Sequence, residues 1–189
     1  MSRKPRSSEP GLIYHIIARG NRKAPLFLHP ADWQKYLDLL EMTRERFPFN
    51  LHAYCLMSNH IHLLLETNES PLGDIFQMLH SKYAIYFNHK YQYTGHLFEG
   101  RFKSLPIKDN RQYLDVSAYI HLNPVEAKIV HYAQDYKWSS YRSLIFKQKN
   151  PHIFKEQLLS HFPHPKEISY QRYVEKIAWL NANKKANIK

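Results

Sequence analysis

Two histidines flank one apolar residue, His60-Ile61-His62, inside the run Tyr54-Cys-Leu-Met-Ser-Asn-His-Ile-His-Leu-Leu-Leu-Glu66. The run reads as a strand, and a strand alternates faces at every residue. His60 and His62 then point one way while Ile61 points into the opposite layer. Two imidazoles on one face of a stiff strand make half of a metal site. Farther along, Tyr119 and Asn123 stand four apart in a helical pattern, so both can face one target. A metal held by histidines next to a helix-borne tyrosine is suited to nucleophilic attack on a phosphodiester.

Each of these residues also has a plainer reading. A His-x-His pair can be two hydrogen-bonded strand histidines, and a chain with 13 histidines will form such pairs by accident. Asn123-Pro124-Val125-Glu126 has the pattern of a helix start, with Asn as cap, Pro first and Glu third. On that local pattern the preceding helix ends near Leu122 and Asn123 caps the next one. Tyr119 can be a core aromatic beside Leu114, Ala118 and Leu122. A free phenol titrates near 10 and attacks poorly without a cation or base. Tyr113 is the rival nucleophile.

The totals set bounds on the reading. The chain has 189 residues, 43% of them hydrophobic, enough for one packed domain with an appendage. Mean hydropathy is −0.59, and there is no apolar run long enough to span a bilayer. Met-Ser-Arg-Lys-Pro-Arg-Ser-Ser has no apolar stretch behind it, so no signal peptide is expected. A single cysteine, Cys55, excludes internal disulfides and fits a reducing cytoplasm. Net charge is +11, which points to a polyanionic partner. Aromatic residues make up 14%, and any that are exposed can stack on unpaired bases. Arg3, Lys4 and Arg6 in the leading segment, Arg19, Arg22 and Lys23 after the first strand, and Arg101, Lys103 and Lys108 around the fourth are candidate DNA contacts through phosphate. A solvated charged face is the competing reading for each.

The elements that must position these residues follow from periodicity. Residues 1–11 form a basic arm. Leu12 to Ala18 is the first strand, and Arg19-Gly20-Asn21 a turn. His29-Pro30-Ala31-Asp32 opens a helix whose apolar face carries Trp33, Tyr36, Leu37, Leu40 and Phe47. Asn50 to Met57 and His60 to Glu66 form a hairpin around Ser58-Asn59. A two-residue loop there places Cys55 opposite His62. Pro71 begins a second helix with Leu72, Ile75, Phe76, Leu79, Tyr83 and Phe87 on its buried stripe. Arg101 to Lys108 is a fourth strand, and a third helix starts at Asn110. The order βαββαβ followed by a helix predicts an α+β, ferredoxin-like antiparallel sheet. Two helices cover the Ile61, Leu63 and Leu65 face, and the third helix lies on the open histidine face. The core spans 12–130. Residues 131–189 form a C-terminal extension with helices from Ala133 to Phe146 and from about Lys166 to Ala182.

Five segments occur in order: Tyr14-His-Ile-Ile-Ala-Arg-Gly-Asn21, the His60–His62 run, Gly95-His-Leu-Phe-Glu-Gly-Arg-Phe-Lys103, Tyr119-Ile-His-Leu-Asn-Pro-Val125 and Trp138-Ser-Ser-Tyr141. Over about residues 12–145 the chain resembles the REP-associated tyrosine transposases, a branch of the single-tyrosine HUH transposases. The resemblance implies a ferredoxin-like catalytic core. It implies metal-dependent cleavage of single-stranded DNA near hairpins through a 5′-phosphotyrosine intermediate that leaves a free 3′-hydroxyl. By this likeness His60 and His62 match the metal ligands and Tyr119 the nucleophile. Asn123 matches the position of a third ligand, one turn on, and the divalent ion is expected to be Mg2+ or Mn2+. One departure is Ala118, where many relatives carry arginine.

The expected function is therefore a DNA endonuclease and strand transferase of the transposase kind, acting on hairpin DNA with single-stranded flanks. The alternative is a domesticated hairpin-DNA-binding protein with little or no cleavage. An RNA-binding ferredoxin-like module would need neither the His-x-His pair nor Tyr119.

Overall fold

The computed structural model describes residues 9–146 and 148–186. Arg3, Lys4 and Arg6 of the basic arm lie outside the described residues. Four strands and three helices build the core in the expected order. They are β1 (Ile13–Arg19), α1 (Pro30–Arg46), β2 (Phe49–Leu56), β3 (His60–Thr67), α2 (Leu72–Tyr91), β4 (Lys103–Pro106) and α3 (Asn110–Glu126). The sheet order is β2-β3-β1-β4 with every pair antiparallel. This is the ferredoxin-like arrangement.

Register fixes the two faces. Cys55 pairs with His62, His62 with Ile17, and Ile17 with Lys103, so these four share one face. Opposed residues on antiparallel strands point the same way. Ile16, Ile61, Leu63 and Leu65 take the other face and are fully buried beneath α1 and α2. Asp32 joins those two helices. Its buried carboxylate accepts from the Leu28 and His29 amides at the start of α1 and from Tyr86, Lys90 and Tyr91 on α2. The third helix lies across β2 and β3 on the histidine face. On the β4 side of that face Lys103 and Leu105 stay exposed.

The turn after β1 depends on Gly20. A Cβ at this position would lie 2.0 Å from the Ala24 carbonyl oxygen, so no larger residue fits. Its amide bonds the Asn59 carbonyl, tying the end of β1 to the β2–β3 turn.

Two expectations are corrected here. The third helix does not stop at Leu122 with Asn123 as the cap of a new helix. It runs through Pro124 to Glu126 and begins behind a true cap, Asp109, whose carboxylate accepts the Gln112 amide. A proline three residues from a helix end removes one ladder bond. The burial of Ile120, Leu122 and Pro124 outweighs that loss. The helix then closes by bonds from Ile129 N to Pro124 O and Lys128 N to Val125 O, with Lys128 left-handed at φ 58°.

The span from Ala133 to Phe146 is not one helix either. It is a 3-10 turn at Ala133–Asp135, an extended stretch, and a short α4 (Tyr141–Ile145). The extended stretch is held by the free edge of β2. Leu56 N donates to Trp138 O, Ser140 N to Tyr54 O, and the Ser140 hydroxyl accepts the Tyr54 amide. Phe154 N donates to Leu51 O beside the β2 bulge. An open strand edge is thereby covered, which competes successfully with helix formation. Two further helices follow, α5 (Lys155–Ser160) and α6 (Lys166–Ala186). The first of these was not expected. No helix among the described residues is long and apolar enough to cross a membrane.

Candidate active site

β3 presents His60 and His62 side by side. Their rings stand 5.0 Å apart between centroids and at 89° to each other. Tyr119 comes down from α3 onto this pair. Its ring meets His62 edge-on at 5.6 Å, and 46% of the residue stays exposed. The back of α3 sets this orientation. His121, two residues on, is fully buried between the Tyr170 hydroxyl on α6 at 2.7 Å and the Ser140 hydroxyl at 2.9 Å. With His121 locked inward, the two helical steps between them, about 200°, turn Tyr119 to the open flank. Tyr113 lies elsewhere, 2% exposed, with its ring against His52 and its hydroxyl buried.

Asn123 sits one turn beyond Tyr119. Its Nδ2 donates to the Tyr119 carbonyl at 2.8 Å, which leaves Oδ1 to meet His60. The other side of the His60 ring is taken: Nδ1 lies 2.7 Å from the Asn59 amide oxygen. An amide oxygen only accepts, so Nδ1 carries the proton and Nε2 keeps its lone pair. A neutral His60 protonated on Nδ1 carries its lone pair on Nε2, the form that can ligate a cation.

Burial keeps these imidazoles neutral. It lowers His62 to about 3, and the neighbouring His15, His60 and Arg19 each lower it further. His60 is lowered by burial and then by the Arg19 charge, against an opposing hydrogen bond with Asn123. Neutral imidazole is the ligating form. Cys55 lies on the same face, but burial pushes its thiol far above its ordinary value, so it stays protonated. Among the described residues no cluster of three or more His, Cys, Asp and Glu side chains could hold a metal. Two imidazoles and an amide oxygen form a different set, one that leaves positions for water or phosphate oxygens.

The candidate cations divide by place. Arg19 is exposed, pairs across the sheet with His60, and acts on both histidines. Lys23 lies in the adjacent turn, where its carbonyl accepts from Asn59, and Arg22 is exposed beside it. Lys103 shares the histidine face on β4. Arg101 instead lines a cleft against α2 with Phe76 and Phe98. Lys108 follows the far end of β4, roughly 20 Å along the strand direction from Arg19. Ala118 is fully buried on the packed side of α3.

One residue of the site escapes sequence reasoning. His15 on β1 is 5% exposed, and its Nε2 lies 2.9 Å from His62 Nδ1. Its ring also meets Tyr119 edge-on at 5.8 Å. The available signal was a polar residue between Ile13 and Ile17 on an apolar strand face. Only the β1–β3 pairing shows what it touches.

The model of the IS200-like transposases matches residues 8–123, which include every residue of this site. The chain belongs to the IS200-like transposase family. A REP-associated tyrosine transposase of Haemophilus influenzae is 29% identical over 113 residues, 53% of this chain. The match covers 64% of that relative, so the chain spans a little under two thirds of its length. Among solved structures, a REP-associated tyrosine transposase bound to a REP hairpin superposes with a TM-score of 0.66 at 17% identity. That superposition covers 82% of this chain and 91% of the other chain, a likeness of fold. A Deinococcus radiodurans transposase aligns at a TM-score of 0.43 and 16% identity, over 71% of this chain and 97% of its own.

The buried histidines of this chain give its stability a pH dependence. Burial lowers His15 to about 4, and His62 and His121 to about 3, whereas an unfolded imidazole titrates near 6.5. Between those values the unfolded chain binds more protons than the folded one, so stability falls as pH falls. The loss begins near 6.5 and is complete near 3 to 4. Each histidine that titrates this way contributes about 1.4 kcal/mol per pH unit. Thermal melts at pH 7, 6 and 5 should show Tm dropping by roughly 10 °C or more. A Tm unchanged from pH 7 to 5 contradicts the burial account.

Proposed function

We propose that this transposase cleaves and rejoins single-stranded DNA beside a hairpin, with Tyr119 as the nucleophile. The observation that carries the reading is the convergence of Tyr119, His60, His62 and Asn123 at one end of the sheet. The tyrosine ring lies 5.6 Å from His62, and Asn123 links the Tyr119 backbone to His60. The Tyr119 Oη forms a bond to the scissile phosphorus and gives up its proton. The bond from phosphorus to the 3′ oxygen breaks, and that oxygen takes a proton to become a free 3′-hydroxyl. The 5′ side stays joined to the protein as a phosphotyrosine ester.

His60 and His62 through their Nε2 atoms, with Asn123 through Oδ1, would hold a divalent ion, Mg2+ or Mn2+. Bound there, it neutralises phosphate charge and polarises the phosphorus for attack. The exposed β4 side of the histidine face offers a path for the strand. Arg19 and Lys103 supply cations there, and Leu105, 51% exposed, supplies an apolar floor. Phosphates can pair with the first and sugars or bases can pack on the second. The fold likeness to a hairpin-bound relative supports hairpin DNA as the partner.

The test is a hairpin oligonucleotide with single-stranded flanks, labelled at its 3′ end and incubated with Mg2+ or Mn2+. A denaturing gel should show label covalently retained on the protein, and the released fragment should end in a 3′-hydroxyl. Tight hairpin binding without any adduct would replace this reading with that of a DNA-binding protein that does not cleave.

A further inference from the structure

His15 sits where an outer partner of a metal ligand would sit. Its Nε2 is 2.9 Å from His62 Nδ1, and the two rings stack at 5.1 Å with 29° between their planes. Two neutral imidazoles at this distance share one proton-bearing nitrogen, and the direction of donation decides what His62 can do. If His15 donates, His62 Nδ1 accepts and the remaining proton of His62 sits on Nε2, which is then unable to ligate. If His62 donates, its Nε2 keeps a lone pair. His60 shows the same arrangement, with Asn59 accepting from its Nδ1.

We infer that His15 is a positioning residue that accepts the His62 Nδ1 proton, holding His62 with its Nε2 lone pair turned to the metal. The inference rests on the metal reading given above. His15 lies one pleat from Ile17, the direct cross-strand partner of His62, so the reach is diagonal across the sheet. It is 5% exposed, so water does not compete easily for the contact. Its ring also abuts Tyr119 at 5.8 Å, so one side chain touches both a ligand and the nucleophile. Ligating histidines commonly donate their second nitrogen to such a partner, and losing the partner costs about 10- to 100-fold in metal affinity.

Two substitutions separate positioning from packing. His15→Leu keeps bulk and removes the acceptor. His15→Gln places an amide oxygen near the former Nε2. Mn2+ binding, followed by titration of the full chain, should weaken by about 10- to 100-fold in His15→Leu and recover to within a few-fold of wild type in His15→Gln. Hairpin affinity without metal should stay within about twofold in both, which also reports folding. Nitrogen-15 NMR of the metal-free wild-type chain should show His62 protonated on Nδ1 and bare on Nε2. A His15→Leu variant with wild-type Mn2+ affinity, or His62 protonated on Nε2, overturns the inference. A wild-type chain that binds no Mn2+ while His62 is bare on Nε2 instead overturns the metal reading, leaving the His15–His62 pairing in place.

Discussion

Replacing His60 or His62 with alanine should abolish the covalent DNA adduct while leaving hairpin binding nearly intact. The two functions separate because they use different atoms. On the proposed function, binding would draw on cations spread over the surface, among them Arg19, Lys23 and Lys103. Cleavage would draw on two imidazole nitrogens at one end of β3. Either substitution would remove a proposed ligand outright, so the loss should exceed the roughly 10- to 100-fold that an outer partner costs. His60→Ala also leaves Asn123 Oδ1 without its ring partner, whereas His62→Ala opens space beneath Tyr119. Adduct formation on a denaturing gel and hairpin affinity by fluorescence anisotropy measure the two functions separately. EDTA should reproduce the alanine phenotype in the wild type. An adduct that forms at the wild-type rate in the double alanine variant, or in excess EDTA, would sink the metal-assisted account.

Much of this site could be read from the chain because its parts are local. Alternation along one strand is enough to put His60 and His62 on one face and Ile61 on the other, and the sheet has that arrangement. The two-residue turn at Ser58-Asn59 likewise fixes Cys55 opposite His62. What could not be read depends on lateral neighbours. His15 is 47 residues from His62, and only the register of β1 against β3 brings them together. Asn123-Pro124 carries a strong local signal for a new helix, yet packing on the sheet keeps α3 continuous through it. The stretch before Tyr141 fails as a helix for the same kind of reason. Tyr54 and Leu56 at a bare strand edge take its backbone groups. The locking of α3 by His121, Ser140 and Tyr170 joins three distant segments and leaves no periodic trace.

Tyr119→Phe should remove the adduct almost completely, by about 10³-fold or more, while fold and DNA affinity survive. The change deletes one oxygen. The ring remains, so its edge contacts with His15 and His62 at 5.8 and 5.6 Å are preserved. The backbone carbonyl that accepts from Asn123 is untouched, so the third candidate ligand keeps its place. Tyr113 cannot substitute. It is 2% exposed, its ring packs on His52 and His161, and burial raises its phenol far above the ordinary value. It also lies six residues from Tyr119, more than one and a half turns of helix, at the end of α3 remote from the histidine pair. Mass spectrometry of the trapped wild-type adduct should place the nucleotide on the peptide containing Tyr119, with the 5′ phosphate as the point of attachment. The Tyr119→Phe protein should melt within a few degrees of wild type and bind the hairpin as tightly. An adduct that persists in Tyr119→Phe, or one mapped to Tyr113, would assign the attack to a different residue and leave the geometry at the histidine pair without its nucleophile.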